Sequence, residues 1–255
     1  MKLIFGSYNL SAGGFDGGRD DRLRSQLDMM AEVGADVWAL QECKYWKDNG
    51  NAAWLLAERT LGMRAYIAQS SHHDCNLAVL VRHGSGIMVH AERHEEGPPY
   101  WHAIARVSAD IDGIPITFAS AHLAPSTPTL RQVEAEAFWL LAKDARQEAL
   151  IVGADWNSVP ANDPDPDITG IDPEHARRKL DRSAARTIEA TGLTDVAALI
   201  GDLTPTVGHD SGLYYRCDGV RTNIATSAIT AYRVIMETRP RSDHRPVVAT
   251  FSLAG

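Results

Sequence analysis

Ala149-Leu150-Ile151-Val152-Gly153-Ala154-Asp155-Trp156-Asn157 is the stretch on which the fold turns. Its first four residues are apolar on consecutive positions, as expected of a strand covered on both faces. The run then passes straight into a carboxylate and an amide, so polar chemistry sits at the end of a buried strand. The same arrangement recurs upstream. Leu3-Ile4-Phe5 opens a first strand that leads to Tyr8-Asn9-Leu10, and Val37-Trp38-Ala39-Leu40 is a short buried-type run that delivers Gln41-Glu42. A third run, residues 114–120, ends at Ala121-His122-Leu123.

Between these strands the period changes. Residues 19–33 carry Leu23, Leu27 and Met30 at helical spacing, with Gly34 as a stop, and a second helical stretch near 52–61 ends at Gly62. From 64 to 123 the chain reads as strands at 65–69, 77–81 and 87–91, followed by a long pair that turns at Asp112-Gly113, a hairpin signature. Thr127-Pro128 supplies an N-cap and a first-turn proline for a helix with Leu130, Val133, Ala137, Leu140 and Leu141 on one face. Residues 160–173, rich in Pro and Asp, read as an irregular loop. Asp172-Pro173 then caps a basic helix carrying Arg177, Arg178, Lys179, Arg182 and Arg186, for which a solvated face is favoured over a substrate-binding one. Strands at 214–223, 229–236 and 246–253 complete the set. Helices interspersed with strands and hairpins predict an α/β (α+β) fold, with two mixed β-sheets packed face to face and helices outside.

Composition bounds the function. A chain of 255 residues with 44% hydrophobic and 23% charged residues is expected to form a single domain over 1–255 with a substantial core. No run is long enough for a signal h-region or a bilayer span, so a soluble cytoplasmic protein without stable membrane insertion is expected, and no obligate protein partner is evident. Cys43, Cys75 and Cys217 are odd in number and widely spaced, which argues against a disulfide framework or a thiolate zinc site. The formal net charge of −8 disfavours sequence-independent nucleic-acid binding, although a local basic rim can coexist with an acidic average.

Ser242-Asp243-His244-Arg245-Pro246-Val247 places an acid and an imidazole just before the last strand. Glu42, Asp155 and Asp243 are hard oxygen ligands of the kind Mg²⁺ or Mn²⁺ takes, and gathering them without a cation would be costly through mutual repulsion. Each residue alone has an ordinary alternative, such as a strand-end charge reaching solvent or a surface histidine. The order of the fragments is more specific. Together with Tyr215-Arg216-Cys217-Asp218-Gly219-Val220, they resemble over essentially the whole chain the endonuclease/exonuclease/phosphatase superfamily, the deoxyribonuclease-I-like metal-dependent phosphoesterases.

That resemblance implies a four-layer α/β sandwich and a role for each matching residue. Glu42 would be the primary ligand of Mg²⁺ or Mn²⁺, with Asn9 nearby and Asp243 contributing directly or through water. His244 would face the scissile phosphate as base or charged donor, oriented by Asp218. His122 would bind a nonbridging oxygen or protonate the leaving group, and Asp155 and Asn157 would position water and phosphate. Arg216 and Asn76 are candidate substrate-binding residues, Arg216 having a bracing salt bridge as its alternative and Asn76 a turn. Trp156 reads as packing, and the remaining histidines, His102 among them, have no spacing that demands a role.

The expected function is a divalent-metal-dependent phosphodiesterase acting on a phosphate ester, with DNA or a nucleotide-like compound as leading substrate. A small-molecule phosphatase, a sphingomyelinase-like headgroup diesterase and a non-catalytic binding protein that kept the fold are the alternatives. Two departures from the family pattern bear on substrate: Cys217-Asp218-Gly219 replaces a bulkier sequence, and the loop at 160–173 matches no DNA-binding insertion.

Overall fold

The computed structural model describes residues 1–144, 148–236 and 241–253. One sheet contains β1 (Lys2–Asn9), β2 (Val37–Gln41), β3 (Met63–Ala68), β4 (Leu77–Arg82), β12 (Ile229–Val234) and β13 (Val247–Ser252), in the order β12-β13-β1-β2-β4-β3. The other contains β5 (Ile87–Glu92), β6 (Glu95–Glu96), β7 (Ala103–Ile111), β8 (Ile114–His122), β9 (Ala149–Asp155), β10 (Thr194–Asp195) and β11 (Asp218–Thr222), in the order β10-β11-β9-β8-β7-β5 with β6 also on β7. Each sheet is mixed: β1 and β2 run parallel, as do β8 and β9, while the other pairs are antiparallel.

The sheets pack face to face. Leu3, Phe5, Val37, Val79, Phe118, Ile151 and Val220 meet between them, with Phe5 and Phe118 stacked 6.1 Å apart. On the outer face of the first sheet, Tyr8, Trp38 and Leu40 lie under α1 (Asp21–Val33) and α2 (Asp48–Leu61). On the outer face of the second, Leu150, Val152 and Ala154 lie under α3 (Pro128–Asp144) and α5 (Ser183–Glu189). Strand β9 is therefore covered on both sides, which is why it is apolar on consecutive positions. The result is the four-layer α/β sandwich. No helix among the described residues is long and apolar enough to cross a membrane.

Gly153 sets how closely the sheets approach. A Cβ there would lie 2.7 Å from Cβ of Ser7 and 2.8 Å from Cβ of Ala39, both on the opposite sheet. Below the strand ends, Gln41 Nε2 donates to Ser120 Oγ at 2.9 Å and Ser120 Oγ donates to the Leu40 carbonyl at 2.8 Å, so the sheets are also hydrogen-bonded to each other.

Three sequence expectations need correction. The buried face of α3 is Arg131, Glu134, Ala135, Phe138, Leu141 and Ala142, whereas Val133 and Leu140 are 47% and 58% exposed. Two buried charges displace the apolar stripe because backbone groups of adjoining segments need partners there. Glu134 accepts from the Trp101 and Ala124 amides, each at 2.6 Å, and Arg131 donates to the Ala124 and Arg178 carbonyls. The basic helix is two short ones, α4 (Pro173–Lys179) and α5, broken at Leu180. The strand expected at 214–223 is confined to β11, with Tyr215 held by an isolated bridge to Val207. In α2, residues 49–51 are left-handed, so regular helix begins near the expected Ala52.

Candidate active site

Register brings the polar strand ends to one edge of the sandwich. Asn9 pairs with Gln41, His122 with Asp155, and Asp155 with Asp218, so β1, β2, β8, β9 and β11 all release their last or first residues together. The segment before β13 is pinned onto this edge. Ser242 Oγ donates to the Asn9 carbonyl at 2.8 Å and accepts from the His244 amide at 3.1 Å.

Asp155, 1% exposed, is the centre. Its Oδ2 accepts from Asn9 Nδ2 at 3.0 Å and lies 3.4 Å from His122 Nε2 and 3.7 Å from His244 Nε2. Its Oδ1 accepts from the Asn157 amide at 2.9 Å, a contact made with Asn157 in the left-handed region at φ 47°. The other nitrogen of His244, Nδ1, lies 2.9 Å from Asp218 Oδ2. Both amides that precede and begin β11, of Cys217 and Asp218, donate to Thr206 Oγ1 at 3.1 Å, which fixes the backbone that carries Asp218.

The electrostatics follow from this crowding. Burial penalises charge on His244, yet Asp218 and Asp155 on its two sides outweigh that and hold its pKa well above the usual imidazole range. Burial likewise opposes ionisation of Asp155, but His244 and then His122 hold its carboxyl below the ordinary value. Burial pushes the Asp218 carboxyl up, so it competes with His244 for one proton. That proton stays on His244, which faces two carboxylates.

Across from the histidines, Glu42 directly follows β2, with φ 55°. Its Oε1 accepts from Asn9 Nδ2 at 3.3 Å and its Oε2 from the Ala12 amide at 2.9 Å. The single Asn9 NH₂ group thus bridges Glu42 and Asp155, lying between two carboxylates where a cation would relieve their repulsion. Every oxygen involved is hard, a donor type that suits a divalent cation, and Glu42 is a residue that could hold one. Asn9 Oδ1 accepts from the Ser11 amide at 3.0 Å, so Asn9 itself reaches a cation only by turning its amide over. Asp243 is exposed on the far rim, where Ser242 Oγ donates to it at 3.3 Å.

The remaining expected residues are brought near the site without all facing it. Asn157 Nδ2 donates to the Leu123 carbonyl at 2.9 Å, holding β8's exit against β9's. Asn76 is fully buried; its side chain bonds the Ser70 amide and Asp74, and its carbonyl accepts from the Cys43 amide at 2.7 Å. It therefore braces the residue after Glu42 and is not placed for the substrate contact expected of it. Arg216 is spent on Asp163 and Asp195, with bonds of 2.7–2.9 Å to both, so it braces the wall of the site in place of touching a substrate. Trp156 packs edge-on against Phe138.

His102 is the neighbour that sequence spacing missed. Its ring stacks on His122 at 4.4 Å and 18°, and Ser70 Oγ lies 3.2 Å from its Nδ1. Burial, and then His122, push its pKa down to about 2, so it is a neutral wall that orients His122. Twenty residues separate the two in sequence, and the antiparallel β7–β8 hairpin alone aligns them.

Two grooves open on either side of Asp155. One, of about 380 Å³, is lined by Glu42, Trp101, His102, His122 and Leu130. The other, of about 260 Å³, is lined by Asn157, Lys179, Tyr215, Asp243 and His244. A larger cleft of about 890 Å³ lies by α1 and α2, around Phe15, Arg24, Tyr45 and Leu56, and holds none of these site residues.

Comparison with known proteins agrees with this architecture. The Endonuclease/Exonuclease/phosphatase family model matches residues 6–232. Among solved structures, TDP2 from D. rerio complexed with a single-strand DNA product is similar at TM-score 0.72 and 17% identity, covering 99% of both chains. An AP endonuclease from Archaeoglobus fulgidus is similar at TM-score 0.72 and 15% identity, covering 98% of this chain and 100% of its own. The human Nocturnin catalytic domain with bound sulfate is similar at TM-score 0.68 and 15% identity, covering 98% and 94%. No curated protein matches the chain by sequence.

Proposed function

Because the chain belongs to the endonuclease/exonuclease/phosphatase family, a family of hydrolytic phosphoesterases, we propose that it is a Mg²⁺- or Mn²⁺-dependent phosphodiesterase whose substrate is a single-stranded nucleic acid or a nucleotide-like diester. The observation that carries the diester reading is the pair of grooves: His122 lines one and His244 the other, while both Nε2 atoms point at Asp155 Oδ2. A phosphodiester has two ester arms and needs room for both, whereas a monoester needs one.

Glu42 would hold a divalent cation, with Asp155 and Asp243 as the further candidate ligands, and the cation would supply charge neutralisation for the phosphoryl oxygens. The chain's own residues do the rest. Protonated His244, kept charged by Asp218, donates a hydrogen bond from Nε2 to a nonbridging oxygen and strengthens that bond as charge develops there. Ionised Asp155 orients the attacking water through a carboxylate whose Oδ2 is fixed by Asn9 and whose Oδ1 is fixed by the Asn157 amide. His122, held flat against neutral His102, faces the leaving oxygen from the opposite groove and can supply its proton.

Charge on the rim supports a short or single-stranded substrate over an extended duplex. Arg177 and Arg178 both pair with Glu174, and Arg182 donates to the carbonyls of Pro160, Ala161, Asp163 and Pro164. Lys179 is the cation of that segment that lines a groove. A family neighbour was crystallised with single-strand DNA product, which agrees with this choice. The test is hydrolysis of bis-p-nitrophenyl phosphate, p-nitrophenyl phosphate, single-stranded and duplex DNA, RNA and sphingomyelin by protein loaded with Mn²⁺. Turnover of the diesters and of single-stranded nucleic acid above the monoester is expected; a preference for p-nitrophenyl phosphate or sphingomyelin would overturn the reading.

A further inference from the structure

Cys217 has no task in the hydrolysis proposed above, yet it lies against the groups that perform it. Its Sγ is 3.5 Å from Asp218 Oδ2 and 4.0 Å from His244 Nδ1, and those two atoms are 2.9 Å apart. A sulfur, an oxygen and a nitrogen with these separations can all lie about 2.0–2.3 Å from one ion, the bond lengths found in tetrahedral zinc sites. Asp155 borders the same space, its Oδ2 3.7 Å from His244 Nε2, and one donor atom from each of the four residues lies within 4.8 Å of the others, so a small shift of its carboxylate would complete the set. Cys217, Asp218 and Asp155 are buried, while His244 borders the open groove and provides the way in.

The chemistry of this set differs from that around Glu42. Mg²⁺ and Mn²⁺ prefer hard oxygen and gain little from sulfur, whereas a mixed sulfur, nitrogen and carboxylate set selects Zn²⁺ and its thiophilic relatives. We propose that Asp155, Cys217, Asp218 and His244 form a second cation site, specific for thiophilic divalent ions, whose filling switches hydrolysis off. The ion takes the lone pair of His244 Nδ1, a carboxylate oxygen of Asp218 and the thiolate of Cys217. The thiol proton and the Nδ1 proton leave to solvent as it binds. His244 is then no longer oriented by Asp218, and Asp155 is drawn away from water. The binding claim stands on geometry alone; the inhibitory claim rests on the hydrolytic reading above.

The probe is Cd²⁺, titrated into full-length protein in excess Mg²⁺ so that hard-oxygen sites are filled. Thiolate-to-cadmium charge-transfer absorbance should grow to one equivalent per chain, vanish in Cys217→Ser and persist in Cys75→Ser, Cys75 being the cysteine of the three that is not buried. Zn²⁺ should inhibit hydrolysis of a small diester without relief by added Mg²⁺. Its inhibition constant should weaken about tenfold or more in Cys217→Ser, each protein being compared with its own uninhibited rate. Cys217→Ala provides a second sulfur-free variant if Cys217→Ser loses its far-ultraviolet circular dichroism. No band in the parent, or a band retained in a folded Cys217 variant, would overturn the site. If the parent hydrolyses nothing, the function fails while the absorbance titration still decides the binding claim.

Discussion

Asp155 meets Asn9, His122, His244 and Asn157 at once, so charge at this one buried residue is balanced by donors from both sheets. Glu42 is less enclosed, and its carboxylate retains lone pairs facing the same space. Glu42→Gln removes a unit of negative charge while nearly preserving shape, and is expected to weaken Mn²⁺ binding about tenfold or more, equivalent to ~1.4 kcal/mol. Calorimetric titration of the folded variant checks it, and unchanged affinity would take Glu42 out of the ion's immediate surroundings. His244 and Asp218 share one proton and are expected to act as a unit. His244→Ala and Asp218→Asn should each lower turnover by roughly 10²–10⁴, with the double variant barely worse than His244→Ala. Losses that multiply would instead show that the two residues act independently. Most of these residues were legible because each follows or precedes an apolar strand in a fixed order. His102 and Thr206 were not, since each acquires its contact from a segment folded back beside it and neither belongs to a local pattern.

Helix α3 shows what periodicity misses at the scale of an element. Its five expected inward positions were chosen for being apolar, but the loops at Trp101 and Ala124 present amides that only a buried acceptor can satisfy, and Glu134 fills that need. Burial raises the Glu134 carboxyl from the ordinary 4.5 to about 7. A group that holds its proton more tightly when folded stabilises the fold fully below its unfolded pKa, and that contribution is lost as pH rises through the folded one. Between about pH 5 and about pH 8 the parent should therefore lose up to ~2–3 kcal/mol that Glu134→Gln, neutral throughout, does not lose. Urea midpoints of the two proteins at both pH values test this, and parallel slopes would rule it out. The break between α4 and α5 changes the expected basic rim in a similar way. Lys179→Glu should weaken single-stranded DNA binding and reduce the salt slope by about one, whereas Arg177→Glu should do less because Glu174 already neutralises that side chain. Fluorescence anisotropy across salt concentrations distinguishes them, and equal effects would mean the whole face is in contact.

At the scale of the molecule, the active edge exists because two sheets are held at one spacing. Gly153 lies at their closest approach, and Gly153→Ala puts a methyl against Ser7 and Ala39, carbons that both belong to backbone-anchored strands. The variant is expected to lose about 1–3 kcal/mol of stability and to move Asp155, two residues on, relative to Asn9. Denaturant unfolding read beside turnover tests this; wild-type values for both would show that the sheets can separate at no cost. The sequence by itself determined the layers and the identity of the strand-end residues. A strand covered on both faces must be apolar throughout, a strand's end is where polar groups can gather, and both requirements are written within a few adjacent residues. Only the tertiary structure decided which charges gather at the strand-end edge and which bond other parts of the protein. Arg216 became a brace because Asp163 and Asp195, 53 and 21 residues away, fold against it. Asn76 became a support for Cys43 for the same kind of reason, and Cys217 became a neighbour of His244 from 27 residues away. A side chain's role depends on the partners that burial gives it, and such partners are set by packing between segments that carry no local trace of one another.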